Sequence, residues 1–386
     1  MTEWREQMLS EFMHFNPRTP LLKGSIAKKV AMEHLASFNR KIQGYEEGIF
    51  KGGAKFKNGD TLVARITPCL ENGKTAYVDF LSDNEVAFGS TEFIVLRAKE
   101  GISDSKFIFY LAISDEFRDT AIQLMTGSSG RQRVETEALK QKVFILPALP
   151  EQKAIAEVLS SLDDKIDLLT RQNNTLEDFA QTYFRRWFLE ENDNDTIMVS
   201  EIAKLENNSV SPKRQPLEPF HHYSIPAYDN AQTPVVELGN TILSNKFTVQ
   251  PNSILVSKLN PITPRIWRID ENVMPNSVCS TEFQVLKPYD IKHYLFLYFL
   301  MKSDDVVSSF AMSATGTSGS HQRIRPEYIL EVETPEPDND KLILFNEICT
   351  PMMERVKKNQ QQIITLQKLR DTLLPKLISG EVRVKQ

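Results

Sequence analysis

The sequence predicts an α/β (α+β) fold, in which two tandem mixed α/β domains are separated by an antiparallel coiled coil of two long helices with pseudo-twofold symmetry. One observation behind this prediction is a long heptad stretch that occurs twice, at Glu151–Phe188 and at Lys341–Ser379. The other is a set of short motifs that precedes each stretch in the same order. Self-similarity of this kind is typical of a duplicated chain.

Both heptad stretches carry apolar residues spaced alternately by four and three, which is the pattern of a coiled-coil seam. The seam of the first stretch consists of Ile155, Leu159, Leu162, Ile166, Leu169, Asn173, Leu176, Ala180, Tyr183 and Trp187. The seam of the second consists of Phe345, Cys349, Met352, Val356, Asn359, Ile363, Leu366, Arg370, Leu373 and Leu377. Seams of this length have to be covered, and we predict that the two helices pair with each other.

The two seam asparagines predict the register of this pairing. A buried polar pair fixes alignment in coiled coils, and we therefore expect Asn173 to face Asn359. In an antiparallel pair this register also places the following residues opposite each other: Ile166 and Leu366, Tyr183 and Cys349, Trp187 and Phe345, and Leu162 and the charged Arg370. Pro351 predicts a kink or a restart of the second helix. Helices paired in this way would act as a ruler between two ends.

Four motifs of the first half recur in the second. Phe15-Asn16-Pro17-Arg18 is echoed by Val210-Ser211-Pro212-Lys213, and the other repeated motifs are Leu62–Pro68 with Leu255–Pro261, Ser90–Phe93 with Ser280–Phe283, and Thr126–Arg133 with Thr315–Arg323. These repeats predict four segments: a first domain at 1–148, a first long helix at 149–189, a second domain at 190–337, and a second long helix with its tail at 338–386.

Short β-like runs bounded by turn residues alternate with helical patterns inside each domain. The predicted strands are Thr61–Ile66, Thr75–Phe80, Phe93–Leu96, Ser253–Val256, Arg265–Ile269 and Phe283–Leu286. One helix is predicted at Asp104–Met125 and its counterpart at Ile291–Met312. Flexible loops are expected at Gly127–Gly130 and Gly316–Gly319.

Composition restricts the class of protein. The chain has 386 residues and a formal net charge of −5, with an ordinary charged fraction of 25%. Its N-terminus has no apolar run, and its longest apolar run, His293–Met301, is about half of the roughly 20 residues that span a membrane. The three cysteines lie far apart, which favours a reducing, cytoplasmic location.

No catalytic motif or metal-ligand spacing is present, so we predict neither an active site nor a metal site in this chain. The repeated loops instead carry basic and amide side chains, which suit contacts with phosphates and base edges. The predicted DNA-binding residues are Arg18, Lys28, Lys29, Arg65, Arg131, Gln132, Arg133, Lys213, Arg214, Lys258, Ser320, His321, Gln322 and Arg323. Arg18, Lys28 and Lys29 of the first domain are expected to be roughly equivalent to Lys213 and Arg214 of the second.

Charge indicates that a partner is needed. The segment 16–148 carries 19 basic and 16 acidic residues, whereas the segment 195–336 carries 12 basic and 16 acidic residues. A surface that binds nucleic acid by itself is usually basic. We therefore expect a partner to supply part of the positive charge.

The order of these motifs resembles the specificity subunit of type I restriction–modification systems. The residues that carry the resemblance are Leu146–Ala156 (LPALPEQKAIA), Leu159–Ile166 (LSSLDDKI) and Leu374–Val382 (LPKLISGEV). The resemblance implies two target-recognition domains that each read half of a split DNA sequence, and spacer helices that dock two methyltransferase subunits. It also implies S-adenosylmethionine in those subunits, and ATP and Mg in restriction subunits if these are added. The second helix departs from the family pattern, because Asp338-Asn339-Asp340 stands in place of the Glu-Gln pair.

Two other functions fit the same residues. One is the specificity subunit of a type II enzyme with separately encoded methylation and cleavage functions, which would differ in the proteins that purify with it. The other is a two-headed coiled-coil adaptor that binds proteins and no DNA, which would show no salt-dependent binding to duplex DNA.

Overall fold

A computed structural model of the chain describes residues 4–128, 130–191, 195–315 and 322–384. The chain divides into two compact units. Unit 1 contains residues 1–168 and 362–386, and unit 2 contains residues 169–361. Each long helix therefore contributes residues to both units. Helices and strands are mixed in both units, which confirms the predicted fold class.

Unit 1 is built mainly on two four-stranded sheets of short strands. Its strands are β1 (Arg5–Met8), β2 (Met13–Phe15), β3 (Ile26–Val30), β4 (Glu46–Ile49), β5 (Ala54–Phe56), β6 (Thr61–Ala64), β7 (Thr75–Tyr77), β8 (Ala87–Gly89), β9 (Phe93–Ala98), β10 (Met125–Thr126), β11 (Arg133–Val134) and β12 (Val143–Leu146). One sheet is antiparallel with the order β2-β9-β6-β7. The other has the order β4-β3-β8-β5, and β3 runs parallel to β8. All four residues of β6 are buried, because this strand lies inside its sheet.

Unit 2 repeats this topology. Its strands are β13 (Thr196–Met198), β14 (Ala203–Leu205), β15 (Ser209–Val210), β16 (Pro219–Tyr223), β17 (Val235–Leu238), β18 (Lys246–Thr248), β19 (Ser253–Ser257), β20 (Ile266–Ile269), β21 (Ser277–Cys279), β22 (Phe283–Pro288) and β23 (Glu333–Pro335). The order β14-β22-β19-β20 corresponds to β2-β9-β6-β7, and β17-β16-β21-β18 corresponds to β4-β3-β8-β5. β16 and β21 form the parallel pair. The duplication inferred from short motifs therefore extends to strand order and direction.

The helices other than the two long ones are short. They are α1 (Leu9–Phe12), α2 (Ser105–Ile113), α3 (Asp115–Gln123) and α4 (Thr136–Lys140) in unit 1, and α6 (Val199–Ile202), α7 (Ile225–Ala231), α8 (Tyr294–Met301), α9 (Asp304–Ser313) and α10 (Glu327–Leu330) in unit 2. Single-turn 3-10 helices lie at Met32–His34, Pro212–Arg214 and Ile291–His293.

The predicted single helices Asp104–Met125 and Ile291–Met312 were wrong, because a serine interrupts each of them. Ser114 has extended backbone (ψ 150°), and its Oγ accepts a hydrogen bond from the N–H of Phe117 at the start of α3. Ser303 has the same conformation (ψ 146°) and precedes α9. Serine at this position caps a new helix more readily than it continues an old one.

The two long helices are α5 (Leu149–Phe184) and α11 (Asn339–Ile378). The expected restart at Pro351 was wrong, because α11 continues through this residue without a break. The expected layer at Tyr183 was also wrong: this ring is exposed, whereas Phe184 and Phe188 are fully buried. Ala180, Phe184 and Phe188 are buried at intervals of four residues, so the seam leaves heptad phase before the π-helical turn at Arg185–Glu190 that follows α5.

Unit 2 contains the asparagine pair. Asn359 Nδ2 donates to Asn173 Oδ1 over 2.8 Å and to Gln172 Oε1 over 3.0 Å. Asn359 and Asn173 are both buried, whereas Gln172 faces solvent. This pair lies among the apolar side chains that α5 and α11 bury in unit 2, including Ala180, Val356 and Met353.

Unit 1 contains the other ends of the two helices. Leu377 of α11 is buried in the same cluster as Ile155 and Leu159 of α5, as antiparallel pairing requires. Arg370, which the predicted register places opposite Leu162, does not extend to solvent. Its Nη1 donates to Asp163 Oδ1 over 2.8 Å, and both side chains are largely buried. Ile166 and Leu366 are half-buried.

The start of α5 is fixed by the Glu151-Gln152 pair. Gln152 is almost fully buried, and its amide bonds the backbone of Ile102, Asp104 and Pro147. Glu151 accepts two hydrogen bonds from Arg383 over 2.6 and 2.7 Å. At the start of α11, the carboxylate of Asp338 instead accepts from the N–H of Lys341, which is a helix cap of a different kind.

Candidate nucleic-acid interface

A Gly/Ser loop joins β10 to β11 in unit 1, at residues 127–132. Gly127 has φ of 123°, a left-handed conformation that favours glycine, and a Cβ there would lie 3.2 Å from the carbonyl oxygen of Arg131. The N–H of Arg131 bonds the carbonyl of Ser128, which closes the turn. Ser129 lies outside the described residues. The loop thus exposes Arg131 at the end of a two-stranded hairpin.

Backbone hydrogen bonds tie this loop to the segment after β6. The N–H of Thr67 donates to Gln132, the N–H of Val134 donates to Arg65, and the N–H of Arg65 donates to Glu92, with lengths of 2.9 to 3.0 Å. The backbone position of the loop is therefore set by the core sheet rather than by the loop itself.

Unit 2 contains the same ladder. The N–H of Asn260 donates to Gln322, the N–H of Ile324 donates to Lys258, and the N–H of Lys258 donates to Glu282. Of the loop residues predicted to bind DNA, Ser320 and His321 lie outside the described residues, and Gln322 is half-buried. Two chemically similar loops are thus anchored in the same way in the two units.

The loop arginines that end each ladder are paired with a glutamate. The guanidinium of Arg133 donates from Nε and Nη2 to the carboxylate of Glu92 over 2.7 to 3.0 Å. Arg323 makes the equivalent bonds to Glu282 over 3.0 to 3.3 Å. Hydrogen bonding and charge from the carboxylate raise the pKa of each arginine above its ordinary value. The sequence prediction included both arginines and missed both glutamates, although the repeated Ser-Thr-Glu-Phe motif contained them.

The next two predicted residues lie beneath the loops. Arg65 is half-buried, and its Nη2 donates to the carbonyl of Val134 over 3.3 Å, so this side chain also supports the loop. Lys258 occupies the equivalent position in unit 2 and is half-buried. Gln132 is half-buried as well.

The remaining basic residues lie away from these loops in the fold. Arg18 is exposed after β2, and Lys213 and Arg214 are exposed in the 3-10 helix Pro212–Arg214. Lys28 pairs with Glu85 over 3.0 Å and lies over the rings of Tyr45 and Phe80, and Lys29 pairs with Glu46 over 3.3 Å.

Sheet register corrects the expected equivalence of these residues. Lys29 on β3 pairs in parallel with β8, and His222 on β16 pairs in the same way with β21. The counterparts of Lys28 and Lys29 are therefore His221 and His222, not Lys213 and Arg214. The echo of Asn16 by Ser211 was wrong for the same reason: Asn16 Oδ1 accepts from the N–H of Val95, and Asn207 Oδ1 accepts from the N–H of Val285. Because similar residue types occur at non-equivalent positions of the two units, the sequence comparison paired the wrong residues.

One group of possible metal ligands was not expected from the sequence. Ligand atoms of Glu33, His34 and Glu46 lie within 4.8 Å of one another. His34 Nδ1 already accepts the N–H of Ala31, and Glu46 is paired with Lys29. Because His34 and Glu46 already take part in these local contacts, we do not assign a metal site to this group.

Residues 2–178 match the family profile described as the type I restriction modification DNA specificity domain. The type I restriction enzyme MjaIX specificity subunit of Methanocaldococcus jannaschii is 26% identical over 337 residues, which span 75% of this chain and 71% of that protein. The chain is therefore similar to the specificity subunits of type I restriction–modification systems. The HindI specificity subunit of Haemophilus influenzae is 33% identical over 135 residues, which span 35% of this chain and 28% of that subunit.

A solved structure supports the fold of this chain. The S subunit of a type I restriction–modification system from M. genitalium superposes with a TM-score of 0.57 at 15% identity, over 98% of this chain and 96% of that chain. Among the described residues of the present chain, no helix is both long enough and apolar enough to cross a membrane.

Proposed function

We propose that this chain is the DNA sequence-specificity subunit of a type I restriction–modification complex, and that each unit reads one half of a bipartite target. The observation that carries the proposal is the duplicated ladder, which holds a Gly-rich loop with basic side chains on the same strands in both units. Loops held by a rigid sheet are where recognition residues are generally found. Two copies of one recognition loop suit a DNA target that consists of two short half-sites.

The loop residues divide into two roles under this proposal. Arg131 is the exposed loop cation of unit 1 and is assigned to phosphate or base-edge contact, with Arg18, Lys213 and Arg214 as exposed cations assigned to phosphates. Gln132 and Gln322, beside the paired arginines, are assigned to base edges, since an amide can both donate to and accept from adenine. Arg65 and Lys258 support the loops.

Modification and restriction chemistry is assigned to partner proteins. We propose that two methyltransferase subunits, which use S-adenosylmethionine to methylate adenine, assemble on this chain, and that restriction subunits using ATP and Mg can join them. The charge distribution supports the need for partners, because the segment 195–336 has four more acidic than basic residues (16 against 12). Phosphate neutralisation, which provides most DNA affinity, would then come largely from the partners.

A domain exchange tests the division of the target. Residues 16–148 are replaced by the corresponding segment of another family member, and methylated bases are mapped in cells that carry the full system. We expect one half-site to change and the other to stay. A change in both half-sites, or in neither, would contradict the assignment of one word to each unit.

Two measurements separate this function from the alternatives. Proteins that purify with the chain should include the modification subunits, with or without the ATP-using restriction subunits, of a type I complex. The separately encoded methylation and cleavage proteins of a type II enzyme would indicate the alternative instead. Binding of the assembled complex to duplex DNA should weaken steeply with salt. An adaptor without DNA affinity would show no such dependence.

A further inference from the structure

The arginine–glutamate pairs of the two loops have nearly identical settings. Arg133 and Glu92 are 41 residues apart in the chain, and so are Arg323 and Glu282. The arginine side chains are 45% and 43% exposed, and the glutamates 24% and 25%. The duplication has thus retained the pair, although the loops between Gly127 and Gln132 and between Thr315 and Gln322 differ in length and sequence.

Each glutamate is held independently of its arginine. The N–H of Glu92 donates to Ser90 Oγ, and its carbonyl accepts from Arg65. The N–H of Glu282 donates to Ser280 Oγ, and its carbonyl accepts from Lys258. The turn before β9 or β22 therefore positions the carboxylate, and the arginine side chain extends toward it to form the ion pair.

Stability alone is a weak reason for such a pair, because ion pairs between exposed side chains contribute little to the free energy of folding. The pair has a larger effect on which other groups the arginine can bind than on stability. The Nε and Nη2 edge of a guanidinium that binds a carboxylate is the same edge that binds a phosphate or the O6 and N7 atoms of guanine. While Glu92 occupies that edge, Arg133 is withheld from DNA, and the carboxylate itself repels a nearby phosphate.

We propose that Glu92 and Glu282 are specificity-determining residues that withhold Arg133 and Arg323 from non-target DNA. A correct half-site, which fits the rest of the loop, displaces the carboxylate and engages the arginine. A non-target duplex offers only phosphates, which must compete with a bidentate intramolecular partner. The pair thereby lowers non-specific affinity more than specific affinity. This inference rests on the proposed function.

The test uses the complete complex with its methyltransferase subunits and four single variants: Glu92→Gln, Arg133→Gln, Glu282→Gln and Arg323→Gln. Binding to duplexes with and without the target is measured across a salt series. Glu92→Gln should tighten binding to the non-target duplex and make the slope of log K against log salt more negative by about 0.9, the value for one additional phosphate contact. The double variant Glu92→Gln with Arg133→Gln should lose this gain, because the released arginine is gone.

The duplication provides a matched control. Glu92→Gln should relax discrimination only at the half-site assigned to unit 1, and Glu282→Gln only at the other. An unchanged salt slope, or an equal loss on target and non-target DNA, would overturn the inference, since either result describes a purely structural anchor. A wild-type complex whose binding to duplex DNA does not depend on salt would overturn the proposed function and this inference with it.

Discussion

Replacing Asn359 by leucine tests the buried amide pair of the long helices. The change removes the hydrogen bonds from Asn359 Nδ2 to Asn173 and to Gln172. Gln172 is exposed and can bond water, whereas Asn173 is buried and its Oδ1 loses this donor. An unsatisfied buried polar group costs about 1–3 kcal/mol, so we expect a loss of that size in the free energy of unfolding of unit 2.

The reciprocal variant should cost less. In Asn173→Leu, the Asn359 amide keeps its bond to Gln172, and only one of its two bonds is lost. The double variant Asn173→Leu with Asn359→Leu replaces the polar layer by an apolar one and should recover most of the stability. The two single losses should therefore not add.

Urea unfolding followed by tryptophan fluorescence provides the assay. A Trp4→Phe background leaves Trp187 and Trp267, both in unit 2, as the fluorophores. A Cm equal to that of the background protein in Asn359→Leu would refute the reasoning, because the amide pair would then carry no energetic weight. A double variant less stable than either single variant would refute it as well.

Two further predictions concern a buried ion pair and a buried histidine. Arg370→Leu removes the hydrogen-bonded cation of the buried Asp163, whose carboxylate also accepts the Tyr110 hydroxyl. The loss in urea unfolding should approach but not exceed the about 3–5 kcal/mol of a broken buried pair, because Arg40 still interacts electrostatically with that carboxylate. Lys140→Leu, which removes the exposed pair with Glu137, should change stability by about 0–1 kcal/mol, and equal effects would contradict the burial argument. Burial lowers the pKa of His222 despite its contact with Glu237, so the unfolded chain binds the proton more readily than the folded one. The free energy of unfolding should therefore fall as pH drops through about 6.5, and His222→Gln should reduce that fall while His221→Gln serves as the neighbouring control. A pH dependence left unchanged by His222→Gln would contradict this assignment.

Local patterns predicted what is locally determined. The heptad spacing gave the two long helices, because periodicity alone defines an amphipathic helix. The Asn173–Asn359 contact follows from the same spacing, since a polar residue within an apolar seam has few possible hydrogen-bond partners. The phase beyond Ala180 could not be read in this way, because it depends on how Phe184 and Phe188 pack in unit 2.

Contacts between residues that are distant in sequence were the part of the interface that the sequence did not predict. Arg133 and Arg323 were predicted to bind DNA because they are basic residues after a flexible loop. No neighbouring residue in the sequence indicates a partner 41 residues away. Sheet register was likewise needed to place Lys28 and Lys29 opposite His221 and His222. The serine before α3 did carry a local capping signal, which the continuous apolar spacing of Asp104–Met125 outweighed.

Under the proposed function, the two loops also account for how an acidic chain can be selective for DNA. With a net charge of −5, it cannot derive high affinity from its own charge, and the two loop arginines are already neutralised by Glu92 and Glu282. Low intrinsic affinity is an advantage for a specificity subunit, because contacts with phosphates bind every sequence equally and only base contacts discriminate. If partner subunits supply the phosphate contacts, the loops can contribute discrimination alone. Releasing an arginine by removing its glutamate should then raise affinity at the expense of selectivity, which is the opposite of what the loss of an ordinary DNA contact would do.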